Sequence, residues 1–140
     1  MIDIATILRD ADWNKKEPAQ PELVQVLASA SVGKLPNEYL SLLLYSDGGE
    51  GKLAIEPGWF QLWPAADVFK QNKSYKIDEI LPGYFGFGSN GGSELLAFDF
   101  KHGKPYRVVR IPFVPMDEKE AITITNNFEE FIQAIGHRTK

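Results

Sequence analysis

The sequence predicts an α+β domain in which helices pack against a mostly antiparallel sheet. Two observations carry this reading. Apolar residues recur at helical spacing through roughly the first third of the chain and again at its end, while from Lys52 to Thr125 they alternate with the twofold period of strands. Runs of helix are therefore segregated from runs of strand, which points away from alternating βαβ units.

The first helix follows from Ile4, Ile7, Leu8 and Ala11 on one face, with Asp3 as its N-cap. Residues 14–18 read as a polar break. Pro21 and Glu22 open a second helix that places Leu23, Val26, Leu27 and Ala30 on one face and stops at Gly33. Pro36 starts a third, apolar almost all round through Tyr39, Leu40, Leu42, Leu43 and Leu44, and Asp47-Gly48-Gly49 ends it. Strands are expected over 52–55, 59–63, 84–87, 95–100, 106–111 and 121–125, with turns at Pro57-Gly58, Pro82-Gly83 and 101–104. A weak helical pattern covers 64–75. The last helix is capped by Asn126 or Asn127, carries Phe128, Phe131, Ile132 and Ile135, and closes at Gly136.

The chain has 140 residues, 44% of them hydrophobic and 12% aromatic, enough for a single packed domain over 1–140. There is no cysteine, which excludes disulfides, thiolate metal sites and cysteine nucleophiles. The start lacks a basic segment followed by an apolar run, and no stretch approaches the roughly 20 apolar residues of a membrane span. A cytoplasmic location without membrane partners is the expectation. A net charge of -4 gives no electrostatic footprint for nucleic acid.

Gly86-Phe87-Gly88-Ser89-Asn90-Gly91 spells a dinucleotide fingerprint, whose chemistry needs a helix directly after the loop. Here Glu94 to Phe100 alternates like a strand, so the glycines read as a connection between strands. Neither His102, in a tight turn, nor His137, in the tail, is placed like a general base, and no nucleophile elbow is present. Asp47 and Glu50 around Gly48-Gly49 supply too few oxygens for a cation cage. Glu94 and Asp99 fall on opposite faces of one strand, and Asp99 reads as a strand-end residue bonding the turn that follows. No catalytic, cofactor or metal residue is assigned. Lys101, Lys104, Arg107 and Arg110 form a basic hairpin, which the acidic chain argues against as a nucleic-acid strip. Trp59 and Trp63 share a strand face, either both as core or with one exposed as a partner anchor.

Three stretches resemble the SUKH superfamily. They are the Leu35-Pro36-Asn37-Glu38-Tyr39 helix running into Gly48-Gly49, the glycine-rich segment from Tyr84 to Glu94 with the Ala97-Phe98-Asp99 strand, and the closing Phe128-Glu129-Glu130-Phe131 helix. Asp47 stands where members often carry Asn, and Ser93-Glu94 where they often carry a third glycine or Gly-Asp. The resemblance implies a strongly bent sheet, no catalysis, and action by binding protein. Bacterial members act as immunity proteins that neutralise a toxin domain; fungal ones serve as regulatory scaffolds of cell-wall synthesis. The expected function is therefore a non-catalytic immunity-type module, the alternatives being a regulatory scaffold, or a small ligand-binding domain or enzyme using the glycine-rich loop. Partner-contact candidates, chosen by residue type and loop position, are Asp47, Glu50, Trp59, Trp63, Asn90, Glu94, Asp117 and Glu118.

Overall fold

A computed structural model describes residues 3–9, 11–30 and 35–135. The expected stops at Gly33 and Gly136, and His137, lie outside them. Asp3 caps helix α1 (Ile4–Arg9) as predicted, accepting from the Thr6 backbone N–H at 3.3 Å and its hydroxyl at 2.7 Å. Helix α2 (Pro21–Ala30) forms where expected but buries Val24 and Leu27, leaving Leu23 37% and Val26 57% exposed. The chain enters α2 tied to the next helix by the Ala19 N–H on the Leu43 carbonyl, and that attachment fixes which stripe turns inward. Helix α3 (Asn37–Tyr45) has Pro36 as its N-cap and buries Tyr39, Leu42 and Leu43.

Among the described residues, seven strands follow the order of the sequence in one antiparallel meander: β1 (Trp13–Lys15), β2 (Gly49–Lys52), β3 (Trp59–Leu62), β4 (Tyr84–Ser89), β5 (Glu94–Asp99), β6 (Val108–Pro112) and β7 (Ile122–Thr125). Helices α4 (Val68–Ser74) and α5 (Ile77–Ile80) connect β3 to β4, a 3-10 turn (Glu118–Glu120) precedes β7, and α6 (Phe128–Ala134) closes the fold with Asn127 as its cap. Strand β1 falls where a polar break is predicted, because its three residues carry no alternating apolar signal. It exists because β2 offers glycines opposite it: a Cβ on Gly51 would strike the Asp12 carbonyl, and one on Gly49 would meet the Asn14 carbonyl at 2.6 Å. That same need for bare backbone places β2 at Gly49–Lys52 and not at 52–55. The sheet is not strongly curled, contrary to the expectation drawn from the resemblance. Strong curvature takes bulges repeated from strand to strand, whereas register shifts are found at Gly86/Gly88 and Val108/Val109 and the meander keeps two open edges.

Two layers of helix sandwich the centre of the sheet. On one face α3 and α6 press Tyr39, Phe128 and Phe131 onto Phe60, Phe87 and Phe98, all at most 2% exposed. These rings meet mostly edge to face, as between Phe60 and Phe131 at 4.9 Å and 84°, the arrangement ring quadrupoles favour. On the other face Ile77 of α5 and Trp63 lie over Gly86. Here β3 pairs with β4 only through Gln61↔Ser89 and Leu62↔Gly88, which leaves Gly86 without a ladder partner on that side. Asn72 of α4 takes the place of the missing strand: its Oδ1 accepts from the Gly86 N–H at 2.9 Å and its Nδ2 donates to the Gly86 carbonyl at 2.9 Å. Asn72→Ala strands both backbone groups in a buried place and is expected to cost about 2 kcal/mol, measured by urea unfolding.

Tyr39 illustrates the opposite case. Its hydroxyl is buried with no hydrogen-bond partner among the described residues, and burial, with the charge of Asp47, raises its pKa far above the ordinary phenol. Tyr39→Phe keeps the ring packing and removes only the stranded hydroxyl, so the unfolding free energy read from urea denaturation is expected to stay or to rise, by up to about 1 kcal/mol.

Candidate interaction surface

The loops at the β3 end of the sheet bring six of the eight predicted contact residues together. Glu50 on β2 accepts a hydrogen bond from the Trp59 indole N–H at 3.0 Å, which fixes a partly exposed ring across two paired strands. Gly91, in the β4–β5 turn, lies so close to that ring that a Cβ would come within 3.0 Å of it. The turn itself is organised by Asn90, whose Oδ1 accepts from the N–H groups of Gly92 and Glu94 and whose Nδ2 donates to Glu94 Oε1 at 3.3 Å. Glu94 is held in turn by Arg110, 2.9 Å away. Glu50 and Trp63 both line a groove of about 290 Å³ between β2, β3 and the start of α4, with Lys16, Gln61 and Asp67. Asp47, outside the groove lining, accepts from the N–H of Ala65, next to Pro64 of that lining, at 2.7 Å.

The tryptophans divide between the two readings of their shared face. Trp63 is 6% exposed and stacks on Tyr75, so it belongs to the core. Trp59 is partly exposed at the rim. As predicted, a strand and not a helix follows the glycine-rich segment.

Asp117 and Glu118 lie apart, on the side of Tyr84, about 16 Å of strand from Ser89. Asp117 caps the 3-10 turn by accepting from the Lys119 N–H. Glu118 receives Lys101 Nζ at 2.9 Å and the Tyr84 hydroxyl at 3.2 Å. Beside them is a network that sequence reading saw only in part. The Asp99 side chain is fully buried, and it bonds the turn backbone as predicted, accepting from the N–H groups of Lys101 and His102. It also receives Arg107 Nε at 2.6 Å and contacts His102 Nδ1 at 2.7 Å. His102 is thus oriented by a buried carboxylate, a support its turn position alone does not reveal; its side chain remains 55% exposed. The signal available in the sequence was the Asp-x-x-His spacing across a turn. Arg107 reaches further, to Thr123 at 2.6 Å.

These bonds change the meaning of the basic hairpin. Lys101, Arg107 and Arg110 are each matched by a carboxylate, and Lys104 lies over the Tyr106 ring at 5.9 Å. A separate cleft of about 650 Å³ opens between the first residues of α3 and α6 and the 104–106 loop, and none of the predicted residues lines it. Among the described residues no group of three or more His, Asp or Glu side chains is arranged to hold a metal, and no helix is long and apolar enough to cross a membrane.

Burial alone would raise the pKa of Asp99, but hydrogen bonds from Arg107, His102 and the turn backbone outweigh it and hold the carboxyl below its ordinary value. A depressed folded-state pKa adds stability that is complete above the unfolded value of about 3.9 and is lost as pH falls through the folded one. The protein should therefore lose stability below about pH 4, and Asp99→Asn should flatten that acid limb in pH-dependent thermal melts. At neutral pH Asp99→Ala, which leaves Arg107 without its buried partner, should cost about 3 kcal/mol.

A comparison with curated proteins found no match. The family model described as SMI1 / KNR4 family (SUKH-1) matches residues 18–134, most of the chain and every strand of the sheet except β1. The resemblance first carried by the Leu-Pro helix, the glycine-rich hairpin and the closing aromatic helix is thereby established: this chain belongs to the SMI1/KNR4 family, SUKH-1.

Proposed function

We propose that the chain, folded as one domain, is a non-catalytic immunity-type protein that binds a toxin domain and neutralises it by covering the toxin's active site. The observation that carries this reading is Trp59. Its ring is partly exposed, its N–H is tied to Glu50, and Gly91 supports one side. An aromatic side chain already fixed in position loses little entropy on binding, and such residues dominate interface energetics. Glu50 in the adjoining groove, and a chain of net charge -4, suit a partner whose own substrate groove is basic, although Lys16 also lines the groove and Lys70 already neighbours Asp67. The carboxylates would speed encounter and fix orientation more than they would hold the complex. Family membership supports the same reading, and Asp47, Asn90 and Glu94 then serve mainly to shape the loops around Trp59.

The test is co-expression and co-purification with a toxin domain sought among the genes adjoining the one for this chain. The wild type should relieve toxicity and form a stable complex. Trp59→Ala should weaken that complex about thirtyfold, the loss of one 2 kcal/mol anchor, as read by calorimetry, with Trp59→Phe intermediate. A toxin that stays lethal beside the wild type, with no complex recovered, rejects the reading.

A further inference from the structure

The two edges of the sheet are built differently. At one edge β1 has three residues, among them Asn14 and Lys15, and is followed by Lys16. Short length and lysine are the usual means of keeping an edge from pairing with another chain. At the other edge β7 is Ile122-Thr123-Ile124-Thr125, all β-branched, with no charge, proline or glycine. Ile122 is 49% exposed. Its inner side pairs with β6, and among the described residues no backbone hydrogen bond reaches its outer side.

Among the described residues, the neighbouring segments leave this edge uncovered. The 3-10 turn folds over the sheet face, where Glu118 meets Tyr84 and Lys101. Helix α6 turns onto the opposite face to bury Phe128 and Phe131. The chain then runs toward β2, where Ile135 bridges to Leu53. An exposed edge presents alternating N–H and C=O groups that only another extended chain can match.

Charge decides which chain. Asp117 and Glu120 precede β7 and Glu129 and Glu130 follow it, against Lys119, while Glu118 is already matched by Lys101. In an antiparallel pair of two copies, the segment before β7 of one would face the segment after β7 of the other, acid against acid. A four-residue strand also covers far less than the roughly 1,200 Å² a stable dimer needs. We infer that β7 is a docking edge for an extended, β-branched segment of another protein flanked by lysine or arginine, added as an eighth antiparallel strand. The inference stands on the edge itself and does not depend on Trp59 or on the partner being a toxin.

A test uses the whole chain and a short synthetic peptide of alternating valine and threonine with two lysines at each end, beside an analogue with glutamates in their place. The lysine peptide should bind in fluorescence anisotropy, protect the amides of Ile122–Thr125 from hydrogen exchange, and weaken as salt is added. Ile122→Lys, at an exposed site that leaves the core intact, should reduce its affinity about tenfold. Trp59→Ala should leave it unchanged. No binding at millimolar peptide, protection mapped elsewhere, or equal binding of the glutamate analogue overturns the inference. So does concentration-dependent dimerisation that protects β7 without peptide, since a second copy would then be the occupant.

Discussion

The structure depends on the double burial of β4 and β5. Helices α3 and α6 press an aromatic layer onto one face of these strands, and α5 with Trp63 closes the other. A strand covered on both faces can carry almost no polar side chain and must satisfy all its backbone groups inside the protein. The ladder does most of this, and Asn72 supplies the pairing that short β3 cannot reach. Groups able to meet a partner are thereby pushed to the ends and edges of the sheet.

The two ends of β5 show how one device serves different purposes. At the start, Asn90 closes a turn through its side chain and Glu94 pairs with Arg110; at the finish, Asp99 closes the next turn and pairs with Arg107. Both ends thus join an acid on β5 to an arginine, Arg110 on β6 and Arg107 just before it. The first pair sits beside a partly exposed tryptophan and shapes a surface. The second lies around a fully buried carboxylate and links Tyr84, His102 and Thr123, so it contributes chiefly to stability.

What could be read from the sequence was set by locality. The Asp3 and Asn127 caps, the alternation in β5 and β6, and the turn role of Asp99 depend on residues within four or so positions, and all three appear as expected. Strand β1 and the true span of β2 depend on backbones far apart in sequence that approach closely because glycine permits it. The helix α5 and the stripe buried by α2 were equally hidden, because tertiary attachment decided them. At the candidate surface, residue type alone selected Glu50 and Trp59, but their pairing emerges only from the β2–β3 register Glu50↔Gln61 and Lys52↔Trp59. Sequence could not separate Trp63 from Trp59, since alternation assigns both to one face and only α4 and Tyr75 bury one of them.

Charge follows from the same geometry. Each internal ion pair removes one acid and one base from the outer field, so pairing leaves the net charge of -4 unchanged while deciding where it is felt. Lys101, Arg107 and Arg110 are consumed by Glu118, Asp99 and Glu94. Among the described residues, Glu120 and Glu129 have no cation within ion-pair distance, and they flank the bare edge of β7. The hairpin that looks basic in sequence is thus close to neutral as a surface. Coulombic attraction outside the protein acts over about a Debye length. Carboxylates such as Glu120 and Glu129 would therefore act on a basic segment only at close range, where the backbone groups and apolar side chains of β7 are available to complete the contact.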